Sequence, residues 1–204
     1  MEILQKYFAD FTALQLQQYG MLQQIYTEWN EKINVISRKD VESFYAHHVL
    51  HSLAIATQFN FAPGLQVMDL GTGGGFPGIP LAIFFPDTQF HLVDSINKKL
   101  KVVMEVAAAT GLKNVTTQHC RAEEIKTRKF DTIVSRAVAP LSDLWRWSKP
   151  LLKKDAGTGE LICLKGGDLA REIHESNCRP FIMEVEKIYD EPFFKDKFLL
   201  RVPI

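Results

Sequence analysis

Five of the eight residues in the stretch 71–78 are glycine, and they stand directly after the apolar run Leu65-Gln66-Val67-Met68-Asp69-Leu70. Such a run reads as a buried strand, and residues 79–85 after it read as a short helix. Glycine at a strand-to-helix turn permits positive φ and lets a ligand lie against bare backbone. A flexible surface loop gives no reason to concentrate glycine there. In a doubly wound sheet, ligands sit at the carboxyl ends of the strands where strand order reverses, and the first strand–helix turn is the usual contact. The chain is therefore expected to be an α/β protein with its site at residues 71–78.

The rest of the sequence agrees with that class. Strand patterns fall at 65–70, 90–93, 115–119, 131–135 and 161–165. Helical patterns fall at 79–85, 96–110, with Gly111 as its C-terminal stop, and 142–152. Alternation of this kind implies right-handed crossovers and a parallel sheet covered by helices on both faces. Residues 181–189 and 198–202 are strand-like, with a short polar link that permits only an antiparallel hairpin. Residues 1–60 contain no convincing strand. Leu14, Leu22, Ile25 and Trp29 trace one helical stripe, and Val41, Phe44, Tyr45, His48, Val49, Leu53 and Ala56 trace another. The turn Asn60-Phe61-Ala62-Pro63-Gly64 then divides a helical extension, 1–60, from an α/β domain, 61–204.

Apolar residues make up 46% and charged residues 24%, which excludes a disordered or fibrous chain. No apolar stretch is long enough to span a bilayer and no signal peptide is visible, so a cytoplasmic protein without membrane contact is expected. Cys120, Cys163 and Cys178 fit neither a disulfide framework nor a metal site and read as reduced, mostly buried thiols. Net charge is zero, but residues 98–154 hold 13 Lys and Arg against 5 Asp and Glu. Such asymmetry marks a surface for a polyanion, or a set of solvated helix faces.

Two nucleotide classes fit the turn. Residues 73–78 match Gly-x-Gly-x-x-Gly, and Asp94 lies about 20 residues on, as in dinucleotide sites. Against a pyrophosphate stand Pro77, which stiffens the helix start, and Asp69, whose carboxylate suits a cationic methionyl amine better. The terminal hairpin is also usual in methyltransferases and not in nicotinamide domains. The balance favours S-adenosylmethionine, held by Asp69, Gly71, Thr72, Gly73, Gly75 and Phe76. Asp94 is suited to accept from both ribose hydroxyls. Ala122 and Glu123, after the third strand, fall where an adenine edge would lie, with Glu123 as an ordinary surface acid the alternative.

Trp29-Asn30 with Ile33-Asn34, His48-Val49-Leu50 with Ser52, the run Gly71-Thr72-Gly73-Gly74-Gly75-Phe76-Pro77-Gly78-Ile79-Pro80-Leu81, Asp94-Ser95 with Lys98-Lys99, Ser135-Arg136-Ala137 and Leu164-Lys165-Gly166 occur in this order. Together they resemble the RsmG (GidB) family of bacterial small-subunit ribosomal RNA guanine-N7 methyltransferases. His51 departs from the family, which often has Asp before the serine. The resemblance implies a class I, Rossmann-like methyltransferase fold, S-adenosylmethionine as cofactor, and guanine N7 of 16S ribosomal RNA as acceptor. N7 carries a lone pair and loses no proton on methylation, so no general base is expected, and positioning alone carries the reaction.

Arg136 is the first candidate for such positioning, either at the methionine end of the cofactor or on an RNA phosphate; pairing with Asp131 or Asp94 is the bland alternative. Lys98, Lys99, Lys101, Arg121, Arg128 and Lys165 are candidates for the RNA backbone. Phe76 or Trp145 is a candidate for stacking on the base. His47, His48 and His51 form a cluster, but without a neighbouring Cys or carboxylate no metal is expected, and packing against the glycine turn is preferred. The partner is then small-subunit ribosomal RNA or its particle, and the chain is expected to act as a monomer. A methyltransferase of a small molecule or protein, and a non-catalytic ribosome-assembly factor, remain open.

Overall fold

The structure is a computed structural model that describes residues 1–37, 40–136, 138–154 and 159–204. Seven strands form one sheet: β1 Gln66–Leu70, β2 Gln89–Asp94, β3 Val115–His119, β4 Thr132–Arg136, β5 Glu160–Gly166, β6 Phe181–Glu184 and β7 Lys197–Pro203. Their order is β3-β2-β1-β4-β5-β7-β6. β1 to β5 pair in parallel, and β7 runs antiparallel to both β5 and β6. The chain leaves β1 toward β3 on one side and returns to β4 on the other. The switch point therefore lies between the carboxyl ends of β1 and β4.

Alternate residues of β1 feed two apolar clusters: Val67 lies with Leu92, Val103 and Val134, while Met68 and Leu70 lie with Val93, Ile133 and Leu161. Burial on both faces is why this strand reads as an apolar run rather than an alternating one. The covering helices are α4 Gly78–Phe84, α5 Asn97–Ala109, α6 Leu141–Ser148 and α7 Ala170–Ser176. The expected helix over 142–152 ends earlier and tightens into a 3-10 turn, Lys149–Leu151. Pro150 has no N–H to continue the ladder. The short polar link expected before the last strand is instead residues 185–196, with 3-10 turns Val185–Lys187 and Pro192–Phe194 and the buried side chains Val185, Tyr189 and Phe194. The antiparallel pairing itself is as expected.

The N-terminal region holds α1 Glu2–Tyr7 and α2 Ala13–Asn30, then a π-helical turn Tyr45–Leu50 running into α3 His51–Leu53. A capping box between Thr12 and Gln15 starts α2. Leu14, expected in the apolar stripe, is 61% exposed; the buried face carries Tyr19, Leu22 and Tyr26. Polar side chains of α2 also satisfy carbonyls that helix ends leave free. Gln15 Nε2 donates to the carbonyls of Ile83 and Phe84 and Gln18 Nε2 to that of Thr110, while Tyr19 Oη adds a bond to the Pro80 carbonyl within α4. Residues 1–60 thus share one apolar cluster with the sheet and close the ends of α4 and α5. Cys163 is buried and Cys120 and Cys178 are half-buried, all as free thiols. Among the described residues no helix is long and apolar enough to cross a membrane.

Candidate functional site

The glycine turn is held from below by Asp69. Its Oδ2 accepts from Thr72 Oγ1 at 2.6 Å and from the Gly78 N–H at 2.8 Å, while Oδ1 is buried with no partner among the described residues. Burial raises the carboxyl to about 7 against the pull of those two hydrogen bonds and of Arg136. One Asp69 oxygen is therefore committed to closing the turn onto α4.

The glycines serve different ends. Gly71, Gly73 and Gly75 have positive φ. A Cβ on Gly71 would meet the Val138 methyls at 2.7 Å, one on Gly74 would meet Val35 at 2.9 Å, and one on Gly75 would meet Ile79 at 2.7 Å. Only Gly73 among the three positive-φ positions faces open space. It is the backbone left clear for a ligand.

Two cavities meet at this turn. The smaller, about 120 Å³, is bordered by Leu70, Val93, Arg121, Ala122, Glu123 and Trp147. The larger, about 380 Å³, is bordered by Val35, Thr72, Gly73, Phe76, Lys99 and Arg136. Gly71, Asp94, Ser95 and Val138 belong to both. Asp94, at the end of β2, accepts from the Gly73 N–H at 2.8 Å and from the Ile96 N–H at 2.8 Å, one through each oxygen. Each oxygen keeps a second lone pair for a ligand hydroxyl. A wider depression of about 640 Å³ lies between α7 and β6, but its border carries Asp168 and Asp196 and no cation, so the glycine turn is the better anion site.

Arg136 ends β4 and looks into the larger cavity. It pairs with neither Asp131 nor Asp94. Its Nη2 lies 3.0 Å from His48 Nδ1, its Nη1 donates to the carbonyls of His47 and His48 at 3.3 and 3.5 Å, and its guanidinium sits 4.9 Å over the Phe76 ring. Among the described residues no carboxylate forms an ion pair with it. Burial pulls its pKa to about 10, with Asp69 as the leading opposing influence. This is a charged group held by neutral acceptors, and among the described residues no carboxylate is bonded to it.

The three histidines part company. His47 bonds Asp40 at 2.8 Å and stacks on Phe193, His48 takes Arg136, and His51 lies edge-on to Phe193 and Phe194. Among the described residues no group of three or more His, Cys, Asp or Glu side chains is placed to hold a metal ion.

The basic candidates divide. Lys99 and Arg121 border the two cavities, and Lys98 and Lys101 are exposed on α5. Lys165 does not join them: it is 7% exposed and bonds the Ala139 carbonyl and the Glu172 carboxylate. Arg128 does not either, since it bonds Gln66, at the amino end of β1, and His91. Phe76 is 4% exposed and lies among Tyr26, Phe44 and His48, and Trp145 is half-buried beneath the second apolar cluster. The Phe76 ring is enclosed by these neighbours, whereas Trp145 keeps part of its ring exposed, with Lys149 Nζ 5.7 Å from the ring centre. Ala137, quoted with Ser135-Arg136, lies outside the described residues.

Some contributors carry no local signal. Tyr26 reads as an ordinary core aromatic, yet its Oη donates to the Gly74 carbonyl at 2.6 Å. Asn30 Oδ1 accepts from the N–H groups of Val35 and Ile36, which sets Val35 against Gly74.

A 3-2-1-4-5-7-6 sheet with a glycine turn after β1 and an acid after β2 defines the class I S-adenosylmethionine-dependent methyltransferase fold. Solved structures agree: a SAM-dependent methyltransferase from Aquifex aeolicus matches with TM-score 0.58 and 16% identity, covering 83% of this chain and 99% of that one. Geranyl diphosphate methyltransferase in complex with GPP and sinefungin matches with TM-score 0.57 and 12% identity, covering 76% and 77%. Residues 15–196 match the family model described as "GidB: rRNA small subunit methyltransferase G". Proteins described as ribosomal RNA small subunit methyltransferase G are 54% identical in Phocaeicola vulgatus, over 100% of this chain and 99% of the relative, and 55% identical in Parabacteroides distasonis, over 99% and 89%. The chain belongs to this family.

Proposed function

We propose that the chain transfers the methyl group of S-adenosylmethionine to N7 of a guanine in small-subunit ribosomal RNA, in the cytoplasm, at the paired cavities beside the glycine turn. The observation that carries this reading is Arg136, a buried cation without a carboxylate partner, facing a cavity floored by the open backbone of Gly73. An amino-acid carboxylate fits that place. Asp94 between the cavities fits a ribose diol, and the smaller cavity, with Ala122 and Glu123 at its border, fits an adenine edge.

The bound cofactor supplies an electrophilic methyl on a sulfonium. The chain's residues have the remaining tasks. Asp69 fixes the turn, Asp94 and Arg136 orient the ribose and the methionine end of the cofactor, and Val138 and Ile96, 43% and 39% exposed at the mouth, keep water from the acceptor. An N7 acceptor needs no proton removed, which suits a site whose polar groups all serve to hold. Holding reactants in line supplies on the order of 7–11 kcal/mol. Lys98, Lys99, Lys101 and Arg121 neutralise RNA phosphates beside the mouth. Residues 1–60 act as an extension that braces the turn and Arg136.

The test is single-turnover transfer from tritiated S-adenosylmethionine to small ribosomal subunits, with nuclease digestion to identify the labelled base. Label on N7 of guanine is expected. Label on protein, or none with cofactor bound, refutes the reading. Gly73→Asp is expected to abolish binding of the demethylated cofactor. The paired change Lys98→Glu with Lys101→Glu, at exposed positions of α5 outside the lining of both cavities, is expected to lower RNA affinity and flatten its salt dependence without altering cofactor binding.

A further inference from the structure

We infer that His48 is a positioning residue, whose imidazole accepts from Arg136 through Nδ1 and aims the guanidinium into the larger cavity without neutralising it. This rests on the reading that Arg136 takes an anionic group of the cofactor. A guanidinium only donates, so His48 Nδ1, 3.0 Å from Nη2, must carry the lone pair, and the ring proton resides on Nε2. Nε2 is buried and has no partner among the described residues. Leaving a buried donor unpaired is costly, and the tautomer that does so is the one Arg136 requires.

The surroundings keep His48 an acceptor. Burial and the adjacent Arg136 hold its pKa near 3, with Asp40 opposing. The rings of Phe44 and Phe76 flank it at 6.0 and 5.1 Å. Its own carbonyl, besides receiving Arg136, accepts from Ser52 Oγ at 2.6 Å, which fixes the π-helical turn. A carboxylate at this position would orient Arg136 equally well but would cancel the charge that a ligand needs. Two backbone carbonyls and a neutral imidazole orient the guanidinium and leave its charge available.

The test uses the full chain, titrated with S-adenosylhomocysteine by calorimetry, together with nitrogen NMR of histidine-labelled protein. The His48 signals are expected to report the Nε2–H tautomer unchanged from pH 5.5 to 8. His48→Leu is expected to weaken ligand binding about 10-fold or more, the size of one lost charged hydrogen bond. His48→Asn, whose amide oxygen reaches the Nδ1 place, is expected to restore binding to within about 3-fold. His48→Gln, which reaches the Nε2 place, is not. In turnover, KM for the cofactor rises and kcat at saturation holds. An Nδ1–H tautomer, or equal binding losses in the Leu and Asn variants, overturns the proposal. Normal binding by His48→Leu beside weak binding by Arg136→Lys overturns it while the Arg136 reading stands. Normal binding by Arg136→Lys removes that reading and the proposal with it.

Discussion

Asp69 sits fully buried at the end of β1 with one oxygen bonded twice and the other not at all. Its carboxyl is raised from 3.8 to about 7, so between those values the folded state binds a proton that the unfolded state has released. Stability therefore falls as pH rises through this window and levels off above it, by on the order of 4 kcal/mol at 1.36 kcal/mol per pKa unit. His48, held near 3, contributes with the opposite sign below its unfolded value of 6.5, so the useful quantity is a difference. Relative to wild type, Asp69→Asn is expected to gain stability steadily from pH 4 to 7 in urea titrations, its amide oxygen keeping both hydrogen bonds. A pH-independent difference refutes the assignment. The glycines allow a second comparison. Gly75→Ala brings a Cβ within 2.7 Å of Ile79 at φ +104, whereas Gly73→Ala meets nothing at φ +56. Gly73→Ala is expected to cost about 1 kcal/mol from backbone strain alone, and Gly75→Ala clearly more in the same titrations. The sequence showed that the turn needs bare backbone. It did not show which glycine faces open space and which faces Val35 or Leu92, because those neighbours are remote in the chain.

Lys165 illustrates what is lost when a residue is read without its neighbouring elements. It lies near the carboxyl end of β5, one strand from the switch point, on the edge of the sheet where the site is read; α7 and the segment before α6 close over it. Glu172 of α7 bonds both Lys165 and the Leu141 N–H that opens α6, while Lys165 bonds the Ala139 carbonyl. The lysine therefore ties three elements together. Lys165→Met leaves Glu172 partly buried without its cation and is expected to cost roughly 3 kcal/mol in urea titration. The salt dependence of RNA binding should stay as in wild type; a reduced salt slope in this variant would return Lys165 to the RNA surface. Element types were legible because period and punctuation are local: β3 matches its expected bounds, and Gly111 at φ +71 stops α5. α7 escaped detection because its seven residues bury only Ser176 fully, which leaves too little periodic signal. Arg128 was misplaced for a related reason: proximity in sequence to a basic segment says nothing about which end of the sheet a loop occupies.

Across the molecule, the division expected at residue 60 rests on a change of periodicity, yet contacts around the candidate site cross it. Tyr26 bonds the Gly74 carbonyl, Val35 covers Gly74, and the carbonyls of His47 and His48 hold Arg136. The same 60 residues supply Leu22, Tyr26, Phe44 and Val49 to a cluster that includes Val67 and Ile79 of the α/β part. Burying a large side chain of this kind contributes roughly 1.5–3 kcal/mol, so losing four is comparable to the whole stability of a domain. A fragment of residues 61–204 is accordingly expected to lack a cooperative thermal transition and to bind a hydrophobic dye. Misfolding of the fragment alone would not show that the extension shapes the site, so the point variant Tyr26→Phe supplies the second measurement. It keeps the ring packing against Phe44 and Phe76 but leaves the buried Gly74 carbonyl without its donor, at a cost of about 1–3 kcal/mol. A folded Tyr26→Phe protein with weakened S-adenosylhomocysteine binding is expected, because the lost bond lies in the backbone turn beside Gly73. A fragment that melts cooperatively and binds that ligand as the full chain does would make residues 1–60 a covering that the site does not need.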